Sequence, residues 1–139
     1  MAPPDEAVPP TGYGGTERVV HYLAEQLVAD GHDVLLVAAG GSHTAGTLWQ
    51  VLPRPFSSYA PDASDVPGKR DLAASVAGLL KSARVDVVHN HFRHLLDVAD
   101  DIRQPMLTTI HYGLDQAVTP SDSWHWWRIV TWMVGVCSQ

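Results

Sequence analysis

Apolar positions along the chain switch between two spacings, and the switch predicts the element order. Val19, Val20, Leu23, Leu27 and Val28 recur at three- and four-residue intervals, one face of a helix, and Gly31 stands where a glycine ends such a helix. Val34 to Ala38 is a continuous apolar run, short enough for a buried strand. Thr47 to Leu52 reads as a further extended piece, and Pro53 to Pro67, rich in Pro, Ser and Asp, as an exposed loop. Asp65 and Pro67 suit a helix start, and Leu72, Val76, Leu79, Leu80 and Ala83 form the apolar face of the helix that follows. Val85 to Val88 is the next strand, Leu95 to Ile102 a short helix, and Met106 to Ile110 a strand after the break at Gln104-Pro105. Ser121 to Met133 is expected to be helical and Val134 to Cys137 a last strand. Strands alternating with helices predict an α/β domain with a largely parallel sheet.

Composition narrows the class. The chain has 139 residues, 45% of them apolar, which suits one domain with an ordinary core. A formal charge of −6 with nine Lys and Arg argues against binding a nucleic-acid backbone. Cys137 is alone, so no intrachain disulfide forms and a reducing, cytoplasmic compartment is expected. No apolar run approaches about 18 residues, so no transmembrane segment is expected, and no secretory signal precedes the first helix.

The chemistry concentrates at the turns. Gly12-Tyr13-Gly14-Gly15 empties directly into the first helix. Glycine permits φ > 0 and close approach, and a helix start offers unpaired N–H groups at the positive end of the dipole, so a diphosphate is the first ligand to consider. A tight turn without a ligand explains the same glycines. The dinucleotide fingerprint fails, because Glu17 stands where its third glycine belongs and would repel pyrophosphate; the P-loop fails, because Thr16-Glu17 replaces its Lys-Ser/Thr.

In their order, Gly12-Tyr13-Gly14-Gly15-Thr16-Glu17-Arg18-Val19-Val20, Asp30-Gly31-His32-Asp33-Val34, Gly40-Gly41-Ser42-His43-Thr44, Asp86-Val87-Val88-His89-Asn90-His91 and Pro105-Met106-Leu107-Thr108-Thr109-Ile110-His111 resemble the amino-terminal half of glycosyltransferase family 4 enzymes. The resemblance runs nearly end to end and is weakest between Val51 and Lys69. It implies a GT-B architecture, of which residues 1–139 would be a single Rossmann-like, acceptor-side half, with the donor-binding half absent. A strand should precede the glycine loop, yet Met1-Ala2-Pro3-Pro4 begins where that strand would end, so the first strand is expected to be missing.

The same resemblance implies a retaining, metal-independent transfer from a nucleotide-diphosphate sugar to an acceptor hydroxyl, with no cofactor besides the donor and no activity for this half alone. His111 resembles the histidine that contacts the transferred sugar, and is the catalytic candidate. A histidine offers both a donor and an acceptor to sugar hydroxyls. Gly14 and Gly15, flanked by Tyr13 and Thr16, resemble the loop facing the donor diphosphate and acceptor pocket. Arg18 could neutralise phosphate or pair with surface carboxylates, and His89 is expected in the cleft. Topology adds Gly40-Gly41-Ser42 and Ser138 to the same crevice, outside the carboxyl ends of the strands.

Two other classes stay open. One is a non-catalytic module that binds carbohydrate or acceptor. The other is a metal-dependent hydrolase on His89, His91 and His94, disfavoured because Arg93 places a cation where such a site needs a carboxylate; a structural reading puts His91 and His94 on the loop. Trp124, Trp126, Trp127 and Trp132 could fill a core, with Trp126 a candidate for interaction.

Overall fold

A computed structural model describes residues 1–111 and the backbone of 129–131. Among the described residues two α-helices, α1 (Gly15–Ala29) and α2 (Lys69–Leu80), accompany five strands: β1 (Leu35–Ala39), β2 (Thr47–Leu52), β3 (Val88–Asn90), β4 (Met106–Thr108) and β5 (Ile129–Thr131). Every pairing among the described residues is parallel, β1 with β2 and β3 with β4 with β5. The chain is an α/β protein of Rossmann-like type, as the alternating periods predict.

The two small sheets are joined by the first two residues. The Met1 amino group donates to His89 O at 2.7 Å, and His91 N–H donates to Met1 O at 3.0 Å. That pair of bonds, one residue either side of Asn90, is the parallel-strand pattern. On the other side Ala2 N–H donates to Val37 O at 2.9 Å. The spatial order is therefore β2, β1, Met1-Ala2, β3, β4, β5, the doubly wound order with only two residues in the central place. Behind Met1 lies a cavity of about 50 Å³ lined by Leu35, Val37, Val76, Leu80, Val87 and Val88.

Helix ends follow local chemistry. Gly31, at φ 89°, closes α1: its N–H bonds Val28 O and the His32 N–H bonds Leu27 O, the double bond of a Schellman cap. Helix α2 packs Leu72, Ala73, Val76, Ala77 and Leu80 inward, each Leu or Val gaining roughly 1.5–3 kcal/mol from burial. Ala73, Val76, Ala77 and Leu80 meet Val37, Val88, Phe92, Leu95, Leu96 and Ile102 in the main core, while Leu72 packs with Ala39 and Leu52.

Several expectations shift. Val19 and Leu79 are 49% and 46% exposed, while Ala24 and Ala73 are buried in their helices, because small residues, too, satisfy a packed face. The strand expected over Val85 to Val88 pairs only at Val88–Asn90: Val88 N–H bonds Pro105 O, whereas Val87 borders the cavity and is 58% exposed. The short helix expected over Leu95 to Ile102 is a pair of tight 3₁₀ turns over Arg93–Asp101, broken where Val98 leaves helical geometry. Phe56–Ser58 forms a turn in the Pro53 to Pro67 loop, tied by Phe56 N–H to Pro4 O. Within the helix expected over Ser121 to Met133, residues Ile129–Thr131 are instead strand; three β-branched side chains in a row suit a pleated surface better than a helical turn. The remainder of that segment, its tryptophans, the strand expected over Val134 to Cys137, and Ser138 lie outside the described residues.

Candidate functional site

Parallel strands point their carboxyl ends the same way, so the turns after Met1-Ala2, β1, β3 and β4 share one end of the sheet. Two constellations stand there.

The first is the glycine loop. Gly14 is the N-cap of α1 at φ 139°, and a Cβ there would lie 2.7 Å from Pro10. Its glycine is thus required by the chain's own packing. Gly15 is different: a Cβ there would meet nothing within 4 Å, which leaves open space over the first turn. Tyr13 is 94% exposed. The Arg18 guanidinium donates to Gly12 O, bracing the loop. Glu17 is buried in the first turn, and burial raises its carboxyl above the ordinary range, with Asp5 and Glu6 adding to the rise. The carboxylate expected to repel pyrophosphate therefore occupies the end of the helix dipole that an anion would use. Asp5 is paired with Lys69.

Ser42, after β1, is committed too. Its hydroxyl accepts the Val8 N–H at 2.9 Å, and His43 N–H bonds Val8 O, so this turn clamps the approach to the glycine loop.

The second constellation is a column of three imidazoles. His89 and His91 have ring centroids 4.3 Å apart, and His91 lies end to end with His111, ring centroids 5.1 Å apart and ring planes 26° apart. His89 Nε2 is 2.8 Å from Thr109 Oγ1, and His91 Nδ1 is 2.8 Å from His111 Nε2. Strands β3 and β4 bring these groups together, because their register pairs His89 with Leu107 and Asn90 with Thr108. Asn90, fully buried, sets the turn that follows: its Oδ1 accepts Phe92 N–H at 2.9 Å, and its own carbonyl accepts Thr109 N–H.

The column is neutral at pH 7. Burial pulls His91 down to about 3, helped by repulsion from His89, the amino terminus and His111. Burial likewise lowers His89, with the amino terminus and His111 contributing, and it lowers His111. Burial also lowers the Met1 amino group to about 5. A neutral imidazole both donates and accepts, the property that suits it to hydroxyl groups.

His111 and His89, read from the sequence as site residues, thus fall in one group, and Gly14, Gly15, Tyr13, Thr16 and Arg18 in another. His91 was missed. It lies in the turn after β3, as expected, but it is 6% exposed and hydrogen-bonded to His111. The signal was present: His89-x-His91 and Thr109-x-His111 place two polar groups each on one face of neighbouring strand ends. His94 leaves the group and pairs with Asp97, which also meets Arg70. Among the described residues no set of three or more His, Cys, Asp or Glu is placed to hold a metal ion. None of their helices is long and apolar enough to cross a membrane.

A doubly wound α/β sheet with polar groups gathered at the carboxyl ends of its strands defines a Rossmann-like ligand-binding domain. The family model for Glycosyltransferase Family 4 matches residues 13–137, and the chain belongs to that family, a glycosyltransferase domain of the amino-terminal type. No curated protein matches the chain at a significant level.

Proposed function

We propose that the chain is the acceptor-side domain of a retaining, metal-independent glycosyltransferase that moves a sugar from a nucleotide-diphosphate donor to an acceptor hydroxyl. The observation that carries this reading is His111, a neutral imidazole at the open end of β4, held by a second neutral imidazole. In this reading His111 contacts the transferred sugar beside the breaking bond. Retention follows a front-face course in which the donor phosphate assists removal of the acceptor proton, and protein groups favour the developing charge. His89 borders the same cleft, and the open space over Gly15 admits the acceptor or the edge of the donor.

Donor phosphate binding requires cations that the glycine loop does not offer, since Glu17, Asp5 and Glu6 surround it and Arg18 is turned onto Gly12. The proposal therefore assigns the diphosphate to a second, donor-binding domain and predicts no transfer by residues 1–139 alone. The lone Cys137 favours a cytoplasmic setting.

The test is a mass-spectrometric transfer assay on the full reading frame that contains these residues, with a panel of nucleotide-diphosphate sugars, beside His111→Ala. Nucleotide release lost in the variant supports the transferase. No release from a verified two-domain protein with any donor would move the assignment to a carbohydrate- or acceptor-binding module. The metal-dependent hydrolase is the less supported alternative, because His91 Nδ1 is engaged with His111 and His94 with Asp97.

A further inference from the structure

His91 and His111 meet through ring nitrogens 2.8 Å apart, a distance that requires one hydrogen between them. In a neutral pair only one of the two nitrogens can carry it, so the tautomers of the two rings are coupled. Neutral imidazole intrinsically prefers its hydrogen on Nε2. With both rings in that form the contact is satisfied directly: His111 Nε2–H donates and His91 Nδ1 accepts. The reverse bond would need both rings in the disfavoured Nδ1–H form. His91 is also the less movable partner. It is 6% exposed, its N–H is held by Met1 O, and the buried Asn90 before it fixes the turn.

We propose that His91 is a positioning residue that fixes His111 as its Nε2–H tautomer, so that His111 Nδ1 is presented as a hydrogen-bond acceptor for a substrate hydroxyl. This rests on the reading of His111 as the sugar-contacting residue, and it names the chemistry that His111 selects. A hydroxyl donates to Nδ1. A fluorine or methoxy group at the same position of the substrate has no hydrogen to give and is rejected.

The experiment is two-bond proton–nitrogen correlation NMR on the full chain labelled with ¹⁵N-histidine, at neutral pH, for the wild type, His91→Asn and His91→Leu. The expected wild-type pattern shows His111 in one form, with Nε2 protonated and Nδ1 an unprotonated acceptor. Asparagine can offer its Oδ1 near the place of His91 Nδ1, so His91→Asn retains that pattern. Leucine offers no acceptor, and His111 in His91→Leu relaxes to the average of a free imidazole, in which the Nε2–H form predominates but the Nδ1–H form is populated. A wild-type His111 that is Nδ1-protonated or already averaged overturns the proposal, which decides the matter even where the leucine variant fails to fold. So does a single Nε2–H form that persists in a folded His91→Leu. No sugar or nucleotide enters this measurement, so its failure is separable from failure of the transferase reading in the assay above.

Discussion

Acid should unfold the chain of residues 1–139 early, and the buried Met1 amine should lead. In the folded chain the Met1 amine sits near 5 against an ordinary 8.0, and His91 near 3 against 6.5. Both groups are held neutral by burial, so the unfolded chain binds the extra protons and stability rises with pH across each window. The contribution is complete above the unfolded value and is lost as pH falls toward the folded one. At about 1.36 kcal/mol per unit, lowering pH from 8 to 6.5 removes about 2 kcal/mol through the amine alone. By pH 5 the amine has removed about 4 and His91 about 2 more, together comparable with the 5–15 kcal/mol stability of an ordinary domain. Glu17 acts in the opposite sense: its raised carboxyl contributes stability below the ordinary range that is lost as pH climbs through its folded value. The assay is urea unfolding followed by circular dichroism at pH 8, 6.5 and 5, on the free-amine chain and on the same chain Nα-acetylated. The acetylated chain has no amine to titrate, so the difference between the two curves isolates Met1. Equal stabilities at pH 8 and 6.5 for the free-amine chain, or a difference unchanged by acetylation, would refute the reasoning.

Two further substitutions separate packing from function. Gly14→Ala forces a Cβ within 2.7 Å of Pro10 at φ 139°, and should lose roughly 1–3 kcal/mol in thermal or urea unfolding. Gly15→Ala, with open space around it, should leave stability unchanged or raise it by up to about 1 kcal/mol, while, under the proposed function, reducing transfer in the assay on the full reading frame. Asn90→Ala leaves the buried Phe92 N–H without its acceptor, a loss of about 1–3 kcal/mol in urea unfolding, with the pattern of amide shifts around His91 moving most.

What the sequence made legible was governed by local physics. Gly31, with φ > 0 at a helix end, and the existence of α1 and α2 are decided within a few residues and stand as read, although Val19 and Leu79 of the expected apolar faces are exposed. Strand ends did not. Val85-Asp86-Val87 alternates apolar and polar as a half-buried strand does, but pairing depends on a neighbour far along the chain, and there the neighbour is Met1 with the cavity behind it. Ile129–Thr131 shows the same dependence: the helix expected over Ser121 to Met133 gives way there to a strand, which its β-branched run favours and its parallel pairing to Met106–Thr108 fixes. The site divides likewise. His111 was visible through family resemblance. His91 became visible only once the register of β3 on β4 fixed which side chains meet.

The central cavity supplies one more prediction. Met1-Ala2 bonds both β1 and β3, and the apolar walls continue behind it with no backbone between them. An extended segment fused ahead of Met1 would run between Leu35 and Val87, parallel to both strands, and would convert the buried amine into a peptide N–H that keeps its bond to His89 O. Removing an amine held three units below its ordinary value recovers about 4 kcal/mol at pH 5, and the new side chains add the burial of β-branched groups to the same walls. A fusion of four residues rich in valine should therefore raise the melting temperature at pH 5 by more than at pH 8. A Gly-Ser fusion of equal length removes the free amine but brings no apolar side chains. Its gain should be confined to acid pH, and the valine fusion should exceed it at both. If the two fusions were indistinguishable at pH 8, the cavity would not be accepting a strand, and the two small sheets would be joined by Met1-Ala2 alone.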